Sequence, residues 1–182
     1  MQEVDLYAAW ALLAAGTVLS FILAFLQLPP FPGIMTFFAG LAVLLVRPSF
    51  EQAVVLGFIA GVLAALVGPG LVVLPFLISE PLGCAVCLWA SLTIVSRPAA
   101  APGLSLFLAT LASGAAFTAL TLSSDIFAAS LGITPGMGEQ IFLVSLTVVM
   151  AAVNALAAVI AFPILRNTLL QARRPLLPGK AV

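Results

Sequence analysis

A chain of 182 residues that is 64% hydrophobic and 7% charged lies far from soluble domains, where about a quarter of residues are charged. Six basic and six acidic residues cancel, and histidine is absent. These numbers exclude a basic nucleic-acid surface, Ser-His-Asp or Cys-His catalysis and a histidine-rich metal site. They predict an all-α, polytopic membrane protein: one compact six-helix transmembrane bundle and no soluble domain.

The first apolar run, Leu6–Leu28, follows Glu3 and Asp5 rather than a basic segment. It reads as a retained helix and not as a signal peptide. Ala11 and Ala15 lie about one turn apart on it, with Ala8 and Gly16 on or near the same face. Such ridges let helices approach closely in lipid, and this one is expected to meet a partner subunit. Leu28-Pro-Pro-Phe31-Pro-Gly33 then breaks the chain before the second span, Ile34–Val46. The third span, Gln52–Val67, carries Gly57, Gly61 and Ala65, expected to pack inside the bundle, and stops at Gly68-Pro69-Gly70.

Leu71–Ser79 is apolar but interrupted by Pro75, which predicts a re-entrant or capping segment. The fourth span is placed after the Ser79-Glu80-Pro81 break, at Pro81–Val95. Within it Cys84 and Cys87 form a C-x2-C with no second ligand pair, so they read as buried small hydrophobes. The fifth span is Gly103–Leu122. After it, Ser123-Ser124-Asp125 is a helix-start cluster leading into Ile126–Leu131, and Thr134–Gly138 is rich in Gly and Pro. That connection is either a lid or a plain loop. The last span, Gln140–Leu165, carries Ala151 and Ala155 for internal packing and Asn154 at mid-depth.

Charge asymmetry orients the bundle. Arg47, Arg97, Arg166, Arg173, Arg174 and Lys180 all fall in the even-numbered connections and the C-terminal tail, while Glu80, Asp125 and Glu139 lie in or beside the odd-numbered ones. Cytoplasmic segments retain Lys and Arg, so both termini are expected to be cytoplasmic in a cell (inner or plasma) membrane. The basic tail then faces anionic membrane lipid or a cytoplasmic subunit. Spans two, three and four are short on the outer side, where Pro and Gly stop them, and three truncated helices predict a pocket open outward.

Few polar or aromatic residues are available to that pocket. Glu80 either complements a helix N-terminus or contacts a ligand. Asn154 is either a functional group or an interhelical hydrogen-bonder. Glu139 and Gln140 cap the last helix or face the pocket, and Trp89 either floors it or packs. The amides near Gly68, Pro69 and Gly70 suit a carboxylate as an anion-binding nest. Phe31, Phe76 and Trp89 suit an aromatic ring. No Lys or Arg lies on the outer half, which disfavours dicarboxylates and phosphorylated vitamins. These features suit a zwitterionic aromatic amino acid, with a neutral vitamin or nucleobase-like molecule as the runner-up.

Gly57–Ala65, Gly68-Pro69-Gly70 and Ser79-Glu80-Pro81 resemble the middle of the bacterial tryptophan transporter family. Val149-Met-Ala-Ala-Val-Asn154, followed by Phe162-Pro-Ile-Leu-Arg166, is similar to that family's last helix. These small six-span proteins look like substrate-binding (S) components of energy-coupling factor (ECF) transporters. The resemblance implies tryptophan as substrate, a pocket beneath the first, third and fifth loops, and separate ATPases with a coupling membrane subunit. It implies that Ala11 and Ala15 dock on that subunit. The almost wholly apolar Leu71–Ile78 departs from the more polar segment expected there.

Other classes fit less of the pattern. No Gly-x-x-x-x-Gly-Lys-Ser/Thr loop is present, so ATP hydrolysis would belong to other subunits, and no enzymatic activity, cofactor or metal is expected. A channel needs a continuous polar lining, for which too few polar residues exist. A structural six-helix membrane subunit needs no pocket at all.

Overall fold

The computed structural model describes residues 3–26, 33–67, 73–94, 99–123 and 137–173. Among them the chain forms six helices and no strand: α1 (Glu3–Phe25), α2 (Ile34–Val46), α3 (Phe50–Val67), α4 (Val73–Thr93), α5 (Ala101–Leu122) and α6 (Met137–Arg173). Five of these are long and apolar enough to cross a membrane; α2, at 13 residues, is shorter. The arrangement is compatible with a multi-pass membrane bundle, because a helix satisfies its own backbone N–H and C=O groups where water cannot.

Helices α3, α4, α5 and α6 pack each on the next in chain order. Helix α2 lies against this row and touches all four, while α1 packs on α2 and α3. The interior is built from small and medium side chains, including Leu13, Leu41, Ala60, Cys84, Cys87 and Leu106. The outer surface is apolar as well: Phe21, Phe58, Trp89, Phe142, Leu156 and Ile160 are all exposed. By contrast Thr36, Glu80, Thr110, Ser113, Thr147 and Asn154 are buried. Polar groups inside and large hydrophobes outside match a lipid surround better than water.

The break expected at Ser79-Glu80-Pro81 is absent. Helix α4 runs from Val73 to Thr93 with Pro81 inside it, so 73–79 forms the opening turns of the fourth span and no separate re-entrant piece. Proline removes one i→i−4 hydrogen bond, and here the neighbouring helix comes close to that stretch. A Cβ on Gly57 would lie 2.6 Å from Pro81 Cα and 2.7 Å from the Glu80 carbonyl oxygen, and one on Gly61 would lie 2.6 Å from the Phe76 oxygen. The two glycines thus bring the α3 and α4 backbones together, the internal packing role expected of them. Ala151 is likewise fully buried, and Ala155 meets α5 at Gly103.

Helix α2 keeps its expected limits and is bracketed by two residues of positive φ, Gly33 at 114° and Arg47 at 50°. The Arg47 N–H closes the last turn on the Val43 carbonyl at 2.9 Å. Helix α6 exceeds expectation, continuing past Leu165 to Arg173. At 1.5 Å per residue its 37 residues span about 55 Å, well beyond a hydrocarbon core of about 30 Å.

Candidate functional site

Glu80 sits in the interior of α4, about two turns past Val73, and not at a helix start. The dipole-capping role is therefore excluded, because that effect is confined to the first turn. The phase of α4 turns the side chain inward, where it is 2% exposed. Thr36 of α2 donates its single hydroxyl proton to the carboxylate, 2.9 Å from Oε1 and 3.0 Å from Oε2. Ser113 Oγ of α5 stands 3.2 Å from Thr36 Oγ1. Gly83, one turn along α4, leaves room for both neighbours: a Cβ there would meet Ser113 Cβ at 3.0 Å and Thr36 Cγ2 at 3.1 Å.

A second polar group lies one turn away. Asn154 of α6 is buried and donates through Nδ2 to the Gly33 carbonyl at 2.9 Å and to Thr110 Oγ1 at 3.0 Å. Gly33, the N-cap of α2, precedes Thr36 by three residues, and Thr110 precedes Ser113 by three on α5, a rise of about 4.5 Å along that helix. The result is a polar seam made of two hydrogen-bonded clusters in an apolar bundle: Asn154 with Gly33 and Thr110, and one turn on, Glu80 with Thr36 and Ser113. Four helices contribute to it. The seam realises the interhelical alternative for Asn154. Gly33 is required by its positive φ of 114°, a conformation that L side chains rarely adopt.

The seam leaves hydrogen-bonding capacity unused. A carboxylate has about four acceptor positions, and the side-chain donor to Glu80 among the described residues is the Thr36 hydroxyl. Ser79 Oγ, adjacent in sequence, is buried with no hydrogen-bond partner among the described residues, as are Ser105 Oγ and Thr121 Oγ1. A buried acceptor of this kind is chemically matched to an amine or another multi-donor group.

The other expected site residues separate. Phe76 is buried and rests on Phe117, with ring centroids 4.8 Å apart and planes tilted by 43°. Trp89 does not floor a cavity: it is 61% exposed on the outside of α4, because its helical phase points away from Glu80. Gln140 is exposed on the first turns of α6. Phe31, Gly68, Pro69 and Gly70 lie outside the described residues, as do the side chain of Glu139 and the segment 126–131 expected to form a lid. Cys84 and Cys87 are free and buried, and Cys87 Sγ donates weakly to the Gly40 carbonyl at 3.6 Å. On α1, Ala11 and Ala15 are exposed, and Ala11 lines an open apolar groove of about 410 Å³ between α1 and α6.

Sequence reasoning missed Thr36, Thr110, Ser113 and Gly33 as partners. Their signal was present as hydroxyl residues inside apolar spans, but which helix each faces depends on packing that no single span encodes. Comparisons with protein-family models, with curated proteins and with solved structures each returned no match.

Proposed function

We propose that the chain is the membrane-embedded binding component of an uptake system for a small amine-bearing solute, without catalysis of its own. Tryptophan is the first candidate, on the residue pattern shared with the bacterial tryptophan transporter family. The observation that carries the reading is Glu80: a carboxylate 2% exposed inside the bundle, with one hydroxyl donor and unused acceptor positions. An ammonium group supplies three donors and the opposite charge. Phe76 and Phe117 provide the nearby aromatic pair, which suits a ring-bearing solute.

Energy for uptake would come from separate ATPases through a coupling membrane subunit. The exposure of Ala11 and Ala15 supports a helix contact on α1 for that subunit. The protein would sit in the cell membrane with both termini cytoplasmic, the orientation in which Arg47, Arg166 and the tail face inward.

Tryptophan titration of the purified protein tests the reading, with Glu80→Gln as the paired variant and circular dichroism confirming that both are folded. Wild type should bind, and Glu80→Gln should lose about a hundredfold in affinity, since truncating a buried charged partner costs 2–5 kcal/mol or more. Equal binding by both proteins removes Glu80 from the site. Absence of tryptophan binding with retained binding of a neutral vitamin selects that runner-up. Absence of any solute binding selects the structural six-helix subunit.

A further inference from the structure

Two arginines far apart in sequence converge at one end of the bundle. Arg47, just past α2, and Arg166 of α6 together line two neighbouring cavities of about 230 and 220 Å³. Neither cavity has an acidic lining residue among the described residues. Among the described residues neither side chain has a hydrogen bond or ion pair, and both are exposed. The remaining walls are mainly apolar, with Leu44 and Phe162 shared by both cavities, Leu92 in one and Leu170 in the other. The larger cavity also reaches Ala101 and Pro102, the first turn of α5, whose N-cap Ala100 gives no side-chain cap.

We propose that Arg47 and Arg166 form a binding site for the phosphodiester headgroup of an anionic phospholipid. Guanidinium groups present planar, paired donors that match phosphate oxygens. Two of them in a lining with no acid among the described residues give a net positive recess, and the uncapped start of α5 adds to the same sign. The apolar walls decide between sources of phosphate. Leu92 and Leu170 are exposed on the outside of the bundle, so a ligand held by the arginines has hydrocarbon-compatible surface leading away from its headgroup. Free phosphate uses none of that surface; a phospholipid acyl chain covers it. The site stands at the bundle end that carries the basic residues, where anionic lipid is concentrated if that end is cytoplasmic. It depends on the membrane reading of the helices and is independent of what solute Glu80 binds.

Arg47 occupies the left-handed region, which asparagine tolerates. The charge-removing variant is therefore Arg47→Asn combined with Arg166→Gln, beside Arg47→Lys combined with Arg166→Lys. Each protein is reconstituted in nanodiscs of phosphatidylcholine, phosphatidylglycerol is titrated in, and bound lipid is counted by native mass spectrometry, with helicity checked by circular dichroism. Wild type should retain phosphatidylglycerol over phosphatidylcholine by about tenfold, and the neutral double variant should lose that preference. The lysine pair should keep part of it, showing that charge and not folding was removed. Equal retention of both lipids by wild type, or an undiminished preference in the neutral variant, overturns the proposal. So does displacement of phosphatidylglycerol by millimolar inorganic phosphate, which would assign the arginines to a soluble anion. A neutral variant that fails to fold leaves the lysine pair and the phosphate competition to decide.

Discussion

The Thr36 hydroxyl lies almost equidistant from both oxygens of Glu80, at 2.9 and 3.0 Å, across 44 residues of sequence. One donor shared between two acceptors holds the carboxylate in a fixed orientation and pins α2 to α4. The same hydroxyl faces Ser113 on α5, so three helices meet at one oxygen. The chemistry proposed for Glu80 and the packing of the bundle are therefore coupled through Thr36.

Removing that hydroxyl should be felt in stability. Thr36→Val conserves shape and leaves Glu80 without its side-chain donor, and hydrogen bonds to charged groups are worth about 1.5–3 kcal/mol. The expected result is a loss of that order in unfolding free energy in detergent, with Glu80→Leu and the double variant completing a cycle. Additive effects would show that the pair is not coupled.

The α3–α4 contact should tolerate no added carbon. A Cβ at Gly57 or Gly61 would meet main-chain atoms of α4 at 2.6 Å, and backbone cannot swing aside as a side-chain tip can. Gly57→Ala and Gly61→Ala should each destabilise the protein by about 1–3 kcal/mol, the usual range for overpacking. Thermal unfolding of the purified variants measures it, and an unchanged midpoint in both would mean that the helices are farther apart.

Asn154 should matter modestly to stability. Interhelical hydrogen bonds in membranes average about 0.6 kcal/mol, with a maximum near 1.7, and Asn154 makes two. Asn154→Leu should therefore cost about 1–2 kcal/mol while leaving tryptophan affinity within a few-fold of wild type. A loss of affinity as large as that of Glu80→Gln would move Asn154 into the binding site.

Orientation can be read by thiol labelling, because Cys84 and Cys87 are buried and contribute little background. With Pro135→Cys and Pro178→Cys, an impermeant maleimide should label position 135 from outside intact cells and position 178 only after lysis. Labelling of 178 from outside would reverse the bundle.

The ridge on α1 separates binding from uptake. Replacing Ala11 and Ala15 with leucine should abolish uptake in cells and leave binding by the purified protein nearly intact, since both residues are exposed on the isolated chain. Loss of binding would mean that the ridge serves the bundle itself.

The sequence made some elements legible for physical reasons and hid others. The limits of α2 were readable because Gly33 and Arg47-Pro48 punctuate an otherwise continuous apolar run. Gly57 and Gly61 were readable as packing residues because their spacing returns them to one helix face. Pro81 misled, since proline usually ends a helix in water; its loss of one hydrogen bond does not interrupt α4 where α3 packs closely beside it. Glu80 was singled out in the sequence as a helix-start or ligand-contacting carboxylate, but its place inside α4 and its partners were not recoverable. The two clusters of the seam join residue 36 to 80 and 113, and residue 154 to 33 and 110, and contacts of that range belong to helix rotation and register. Trp89 illustrates the same limit: its distance along α4 from Pro81 was readable, while the direction of its side chain was not.

The glycine face of α3 also bears on how α4 can move. Where helices interlock by side chains, translating one past the other requires lifting knobs out of holes. Gly57 and Gly61 present no knobs to α4, and Pro81 takes one rung out of that helix's own hydrogen-bond ladder at the same height. The surface is smooth and the rod beside it is weakened at one point. Bending or sliding of α4 along that track would carry Glu80 relative to Thr36 without lifting a large side chain out of the Gly57 and Gly61 face.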